Sequence, residues 1–296
     1  MSAKPEWAVA GKDWPNRDAS RFVEAADITW HVQVAGAGPV LLLLHGTGAA
    51  THSWRDMFAP LAAHFTVVAP DLPGHGFTTL PPSRRMSLPG MAGAVSELLG
   101  VLDLAPAFCV GHSAGAAIGI RMALDGMMNP AAIVGINAAL VPFAGAAAQI
   151  FPSMARMLVA NPFVPALAAW AASDRTRVKR LIEGTGSRID ARGLDSYAAL
   201  FATRRHADAA LRMMANWDLA TLFRDLPDLT MPLYLLIGSH DRAVPPTDAS
   251  KISDVLPSAT IRTFSGGHLV HEETPQPIVE ALLAVAQQTR VLRNVD

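Results

Sequence analysis

A glycine-flanked serine constrains this chain more than any other feature of its sequence. Residues 111–115 read Gly-His-Ser-Ala-Gly and lie between a short apolar stretch and a stretch of helical character. A serine there is predicted to lie on a sharp strand-to-helix turn, because the two glycines leave room for the turn to close. The turn raises the Ser113 oxygen above the sheet and points the next helix N-terminus at it, as a nucleophile requires. Alone, the pentapeptide also fits an ordinary glycine-rich turn.

Length and composition exclude several classes of function. The 296 residues suffice for one large α/β domain, and a net charge of −1 argues against the basic face that nucleic acid requires. Cys109 is the only cysteine, so no disulfide framework is possible and a reducing compartment is expected. The first 20 residues lack the apolar core of a signal peptide, and no unbroken apolar run is long enough for a transmembrane segment. We therefore expect a cytoplasmic protein.

Strand and helix patterns alternate along most of the chain. Residues 28–34 alternate in β fashion with their even-numbered residues on one apolar face, and residues 22–25 can pair with them as a hairpin. Apolar runs predict further strands at 40–44, 65–69, 107–110, 132–136, 233–237 and 260–264. Helical patterns cover residues 54–64, 88–104, 114–127, 247–255 and 275–292. This order predicts an α/β protein with a mostly parallel eight-stranded sheet flanked by helices.

The alternation stops between residues 141 and 228, where we find no strand pattern. Prolines divide this alanine-, methionine- and phenylalanine-rich segment into short pieces. We predict a helical cap at residues 141–228, inserted after the sixth strand, on a core of residues 1–140 and 229–296. Arg156 is the only charged residue between 141 and 172. The apolar surface therefore either packs on the core, lines an apolar pocket or touches a membrane.

The carboxyl ends of the strands are where a doubly wound sheet binds ligands. After the strand at 40–44, residues 45–48 read His-Gly-Thr-Gly. Such a turn can aim the backbone N–H of Thr47 at Ser113, and the N–H of Ala114 directly follows the nucleophile, so we predict that the two form an oxyanion hole. The residues expected to support this arrangement are His45, Gly46, Gly111 and Gly115. No phosphate-loop motif follows the turn.

An acid and a base follow two later strands. Asp241 lies in a turn after the strand at 233–237, and His268 follows two glycines after the strand at 260–264. Taken singly, these residues also fit a turn-forming aspartate and a solvated loop histidine. The order Ser, Asp, His, each beyond a different strand, is the order of nucleophile-elbow hydrolases. We therefore predict Ser113 as the nucleophile, His268 as the base and Asp241 as the acid.

At this level the chain resembles the α/β-hydrolase fold family over residues 21–291. Besides the serine turn, the motifs that carry the resemblance lie at residues 71–76, 241–245 and 267–273. The resemblance implies that His268 is the base, that His271 supports it, and that Asp71 and His75 are structural. It also implies acyl transfer to water by a Ser-His-Asp catalytic triad.

A narrower resemblance is carried by residues 11–17, 20–23, 45–55 and 80–85. These blocks are similar to a family of magnesium chelatase accessory proteins of bacteriochlorophyll biosynthesis, α/β-hydrolases of purple photosynthetic bacteria. The resemblance implies a role linked to photosynthesis, a magnesium-tetrapyrrole ester as the substrate, and contact with magnesium chelatase.

Together these observations predict a serine esterase that acts on an ester of a bulky apolar substrate. One alternative is a non-catalytic tetrapyrrole-binding accessory protein of magnesium chelatase, and another is a carbon–carbon bond hydrolase with the same three residue types. Dehalogenases and epoxide hydrolases are disfavoured, because they place a carboxylate where Ser113 stands. We expect no cofactor and no metal site, since the ten histidines lack metal-ligand spacing. The predicted cap contains four methionines that either pack inside the protein or contact a bound tetrapyrrole: Met154, Met157, Met213 and Met214.

Overall fold

The computed structural model describes residues 6–142 and 174–292 of the chain. Its strands are β1 (Ser20–Ala25), β2 (Ile28–Ala35), β3 (Val40–Leu44), β4 (Thr66–Pro70), β5 (Phe108–His112), β6 (Ile133–Ile136), β7 (Leu233–Gly238) and β8 (Thr260–Phe264). They form one sheet in the order β1-β2-β4-β3-β5-β6-β7-β8, parallel from β4 to β8. The β1–β2 hairpin adds two antiparallel strands at the β4 edge. The predicted eight-stranded, mostly parallel α/β sheet is confirmed.

Helices flank the sheet on both faces. Those that the structure describes are α1 (Trp7–Ala10), α2 (Phe58–Ala62), α3 (Leu88–Val101), α4 (Ala114–Leu124), α5 (Arg175–Gly184), α6 (Ala191–Phe201), α7 (Arg204–Ala215), α8 (Ala220–Asp225), α9 (Asp248–Val255), α10 (Val270–Glu273) and α11 (Pro275–Gln288). Short 3₁₀ helices occur at Arg17–Ala19, Thr51–Trp54, Ser83–Met86 and Leu226–Asp228. The helix predicted over 54–64 is shorter than expected. The Asp71 carboxylate binds the Thr51 N–H at 2.7 Å and anchors a 3₁₀ turn ahead of α2.

The central strand β3 divides the core into two layers. Leu42 and Leu44 pack with α3 and α4 on one face, while Leu41 and Leu43 pack with α2 and α11 on the other. All four leucines are fully buried, and burial of each contributes about 2 kcal/mol. A strand buried on both faces needs a continuous apolar sequence, which explains the uninterrupted run in β3. Strand β3 itself therefore carries no polar side chain, and the first polar residue, His45, follows its carboxyl end.

Strand β2 is buried on both faces, whereas its alternating sequence predicted one apolar face. His31 and Gln33 are fully buried on the polar side. Gln33 Nε2 donates a hydrogen bond to the carbonyl of Pro15 at 2.6 Å, and the Trp7 ring packs 4.9 Å from that of His31. The N-terminal segment thus covers this face, a tertiary contact that the alternation of β2 does not encode.

Four helices and a 3₁₀ turn occupy the described part of the chain between β6 and β7. Residues 174–228 contain α5 to α8 and no strand, in agreement with the helical pattern expected there. The predictions for residues 143–173, including Arg156, Met154 and Met157, lie outside the described residues. No helix within the described ranges is both long and apolar enough to cross a membrane.

Candidate active site

The turn that carries Ser113 joins β5 directly to α4. Ser113 has φ 51° and ψ −117°, a left-handed conformation that is rare for a residue with a side chain. A Cβ atom at Gly111 would lie 2.3 Å from the Ala116 nitrogen, and one at Gly115 would lie 2.0 Å from the Leu44 carbonyl oxygen. The turn can therefore close only with glycine at both positions.

We expect the substitution Gly115→Ala to destabilise the fold by about 3 kcal/mol or more, because the new methyl group meets the backbone of β3. Gly93→Ala is the matched control, since nothing lies within 4 Å of an added Cβ atom at that helical position. The control is expected to be neutral or slightly stabilising. Urea unfolding of both variants measures the difference, and equal midpoints would contradict the packing of the turn.

The loop after β3 approaches Ser113 from the neighbouring strand. A Cβ atom at Gly46 would lie 3.1 Å from that of Ser113 and 2.7 Å from Nδ1 of His112. His45 Nδ1 donates to the Gly46 carbonyl at 2.8 Å, and its Nε2 accepts from the Leu72 N–H at 2.8 Å. The N–H of a trans peptide points away from its carbonyl, so fixing the Gly46 carbonyl also fixes the direction of the Thr47 N–H. His45 therefore holds the peptide that carries the Thr47 N–H.

The two predicted oxyanion donors are free to bind a ligand. Among the hydrogen bonds of the described residues, none uses the backbone N–H of Thr47 or of Ala114. Ala114 is the first residue of α4, where backbone N–H groups have no partner within the helix. Thr47 lines the cavity at Ser113. These N–H groups have the character required to stabilise a developing negative charge.

His268 and Asp241 meet at the ends of β8 and β7. His268 Nδ1 donates to Asp241 Oδ2 at 2.8 Å. The other carboxylate oxygen, Oδ1, accepts from the N–H groups of Ala243 at 2.8 Å and Val244 at 2.9 Å. The Asp241 side chain is fully buried, while that of His268 keeps 12% of its surface exposed. Asp241 is thus held rigidly, and His268 presents its Nε2 edge away from the carboxylate.

Ser113, Thr47 and His268 line one cavity of about 110 Å³. Its other walls are mostly apolar and include Leu181, Ile182, Tyr197, Phe201 and Leu269. No hydrogen bond joins Ser113 Oγ to His268 in the part of the chain described. Catalytic hydrogen bonds often form only when substrate binds, and the serine hydroxyl can rotate within its turn. The structure therefore brings the predicted nucleophile, base and acid to one place.

Asn137 holds the backbone of His268 and was missed by the sequence analysis. Its Nδ2 donates to the carbonyls of Gly267 at 2.9 Å and His268 at 2.8 Å, and its Oδ1 accepts from the Gly238 N–H at 2.7 Å. His112 Nε2 donates to the same His268 carbonyl at 2.9 Å. Asn137 follows β6 directly, so the strand-end rule that found Asp241 also applies to it.

A buried ionic network ties α10, which directly follows the His268 loop, to α6. Arg55 pairs with Glu272 through its guanidinium and with Asp190 at 2.9 Å. The Glu272 carboxylate also accepts from Ser53 Oγ and Tyr197 OH, each at 2.7 Å. Burial raises the pKa of Glu272, and the charge of Arg55 opposes that rise. No sequence signal identifies a pair whose members are 217 residues apart.

A set of buried histidines surrounds the site and stays neutral near pH 7. Burial lowers the pKa of His206 to about 4 and that of His271 to about 3. Burial also lowers the pKa values of His45, His52, His75 and His112. Removing a charged imidazole from water is costly, so these rings cannot readily accept a proton while the chain is folded.

Among the residues that the structure describes, no group of three or more His, Cys, Asp or Glu side chains is arranged so that it could hold a metal ion. Met213 is fully buried and its sulfur accepts a hydrogen bond from Thr47 Oγ1 at 3.3 Å. Met214 is partly buried on the same helix. Met213 therefore packs inside the protein rather than facing a ligand.

Comparison with known proteins finds a matching family model and relatives that align over most of this chain. A family model described as the alpha/beta hydrolase fold matches residues 39–275. The chain is 44% identical over 262 residues to the magnesium-chelatase 30 kDa subunit of Rhodobacter capsulatus, covering 88% of this chain and 92% of that protein. It is 29% identical to the pimeloyl-[acyl-carrier protein] methyl ester esterase of Methylococcus capsulatus, over 84% of this chain and 92% of the relative. The epoxide hydrolase CorEH superposes with a TM-score of 0.77 at 21% identity, covering 91% of this chain and 98% of that one.

Proposed function

Because this chain belongs to the alpha/beta hydrolase family, we propose that it is a serine hydrolase with Ser113 as nucleophile, His268 as general base and Asp241 as the acid. The observation that carries the proposal is the 2.8 Å bond between His268 and buried Asp241, beside the cavity that His268 shares with Ser113. Nucleophile, base and orienting acid on three different loops form the constellation that activates a serine.

The proposed reaction transfers an acyl group first to Ser113 and then to water. His268 Nε2 takes the hydroxyl proton as Ser113 Oγ attacks the carbonyl carbon, and the N–H groups of Thr47 and Ala114 bind the resulting oxyanion. His268 then gives this proton to the departing alkoxide as the ester bond breaks. Water repeats the sequence on the acyl-enzyme, releasing a carboxylic acid and restoring Ser113. Asp241 keeps the proton of His268 on Nδ1 throughout.

For the substrate we propose an ester with a bulky apolar body. Tyr197, Phe201 and Leu269 on the cavity wall support this class, as does the methyl ester esterase among the relatives. The name of the Rhodobacter capsulatus relative supports a magnesium-tetrapyrrole ester, and contact with magnesium chelatase, as the narrower hypothesis. We further propose that residues 141–228 act as a cap over the site. Contact of this cap with a membrane stays a prediction.

A tetrapyrrole carrier is the second candidate function. The relative's name describes a chelatase subunit rather than a hydrolase, which favours this alternative. A carrier has no use for an activated serine, so Ser113→Ala should leave its porphyrin binding unchanged. An esterase loses turnover with the same substitution.

A fluorophosphonate serine probe tests the proposed nucleophile. We expect the purified protein to be labelled at Ser113 and the Ser113→Ala variant to lose labelling. Ser239→Ala is the matched control, because Ser239 is an exposed serine just beyond β7 and should not react. Peptide mass mapping locates the adduct. A wild-type protein that stays unlabelled would instead support the carrier.

Incubation with magnesium-porphyrin methyl esters tests the narrower hypothesis separately. Release of the free acid by the wild type but not by Ser113→Ala is the expected result. Turnover of short aryl esters without release from the porphyrin esters would exclude the tetrapyrrole substrate and keep the serine hydrolase.

A further inference from the structure

One face of α7 lies on two loops of the sheet domain. His206, Ala209 and Met213 follow one another at helical spacing, and all three are buried. Met213 accepts the hydrogen bond from Thr47 in the loop after β3. The Cβ atom of Ala209 lies 2.7 Å from where a Cβ atom at Gly74 would be, in the loop after β4. The helix therefore contacts both loops too closely to be a loose cover.

His206 joins these two loops by hydrogen bonds. Its Nδ1 accepts from the Gly76 N–H at 3.1 Å, so the ring proton is on Nε2. Nε2 then donates to the Gly48 carbonyl at 2.9 Å. Both ring nitrogens of a fully buried side chain are thus satisfied. Such a residue fixes the spacing of the two loops as well as their contact with α7.

The Gly48 carbonyl is a sensitive point of the loop that carries Thr47. Gly48 has φ +78°, and a Cβ atom there would lie 3.0 Å from Phe201 Cζ at the end of α6. The N–H of the same peptide, that of Ala49, donates to the Gly46 carbonyl at 3.1 Å, so a contact at the Gly48 carbonyl acts on the peptide that precedes Thr47. His206 binds the Gly48 carbonyl from α7, while Met213 holds the adjacent Thr47 side chain.

From these contacts we infer that His206 is a positioning residue for the Thr47 oxyanion donor, and that α7 belongs to the catalytic scaffold. The inference rests on the proposed serine hydrolase for its catalytic meaning. We call the two hydrogen bonds of His206, to Gly48 and Gly76, the loop–helix clamp. This clamp is a property of the fold and can be measured without any substrate. The hydrogen bonds and ring contacts of His206 among the described residues join it to Gly48, Gly76, His75 and Phe201 and not to Ser113 or His268, so its effect on the reaction must pass through the loop.

Two substitutions separate the hydrogen bond of His206 from its volume. His206→Phe keeps a ring but removes both hydrogen bonds, whereas His206→Gln keeps an N–H donor that can reach the Gly48 carbonyl. We expect faster amide hydrogen exchange in peptides covering residues 45–50 of the Phe variant, and near-normal exchange in the Gln variant. On a short aryl ester, kcat of the Phe variant should fall about 10²-fold with little change in KM, because the oxyanion donor is displaced while the cavity is kept.

His52→Phe is the matched control. His52 is also a buried histidine, but neither of its ring nitrogens has a hydrogen-bond partner. Its replacement should leave exchange in residues 45–50 and the kinetic constants unchanged. Thermal melts set a common temperature at which all variants are folded.

The outcomes distinguish this inference from the proposed function. Unchanged exchange over residues 45–50 in His206→Phe would overturn the inference, whatever the activity. Faster exchange with kcat unchanged in an active enzyme would overturn its catalytic part. If the wild type reacts with no serine probe, the proposed function fails while the exchange data still decide the clamp.

Discussion

Labelling of Ser113 by a fluorophosphonate is expected to slow about 10⁴-fold when Asp241 is replaced by asparagine. The aspartate oxygen accepts the proton on His268 Nδ1 at 2.8 Å. An asparagine amide can turn its NH₂ group towards Nδ1 instead, which moves the ring proton to Nε2. His268 Nε2 then has no lone pair with which to accept the proton of Ser113, although the shape of the site is preserved.

The matched control is Asp254→Asn, which removes an exposed carboxylate at the end of α9. Both variants should unfold at similar urea concentrations, while only Asp241→Asn loses labelling and turnover of aryl esters. Labelling of Asp241→Asn at the wild-type rate would exclude Asp241 as the orienting acid. Another carboxylate near His268 would then have to orient the ring.

Acidification below the ordinary histidine pKa is expected to destabilise this protein. Six buried histidines have folded-state pKa values below the 6.5 of the unfolded chain. Below that pH the unfolded chain binds protons that the folded protein excludes, so stability is complete above about pH 6.5 and falls as the pH decreases. For each histidine that stays neutral in the folded protein, the free energy of unfolding falls by about 1.4 kcal/mol per pH unit below about pH 6.5. Glu272, whose pKa burial raises, acts in the opposite direction as a single group.

The summed effect is large compared with the stability of a typical domain. His206 and His271, whose pKa values fall to about 4 and about 3, together remove about 3 kcal/mol per pH unit, against a usual total of about 5–15 kcal/mol, and the other four histidines act in the same direction. Urea unfolding at about pH 7.5, 6.5 and 5.5 measures the slope, which should be steep only below the ordinary histidine pKa. His52→Phe should make the slope shallower, since it removes one of the six groups without breaking a side-chain hydrogen bond. A free energy of unfolding independent of pH over this range would show that these rings accept protons in the fold.

The sequence predicted the candidate site residues that follow a recognisable local pattern. Ser113, Asp241 and His268 each follow a recognisable strand, and the structure places all three strands side by side or nearly so in the sheet. Asn137 obeys the same positional rule and was overlooked, because an asparagine at a strand end also fits a simple turn. The predicted ends of helices were less accurate, as for the segment before α2. Side-chain contacts from distant loops decide where a terminal turn closes.

By itself the sequence determined the eight strands, the glycine-bounded turn at Ser113 and the chain order of the reactive groups. These features depend on short-range effects: apolar periodicity, glycine sterics and the parallel direction of the strands. Only the tertiary structure decided that Arg55 pairs with Glu272 and that His206 holds Gly48 from 158 residues away. Those bonds depend on how helices and loops pack across the molecule, and no residue's local sequence specifies a partner so distant along the chain.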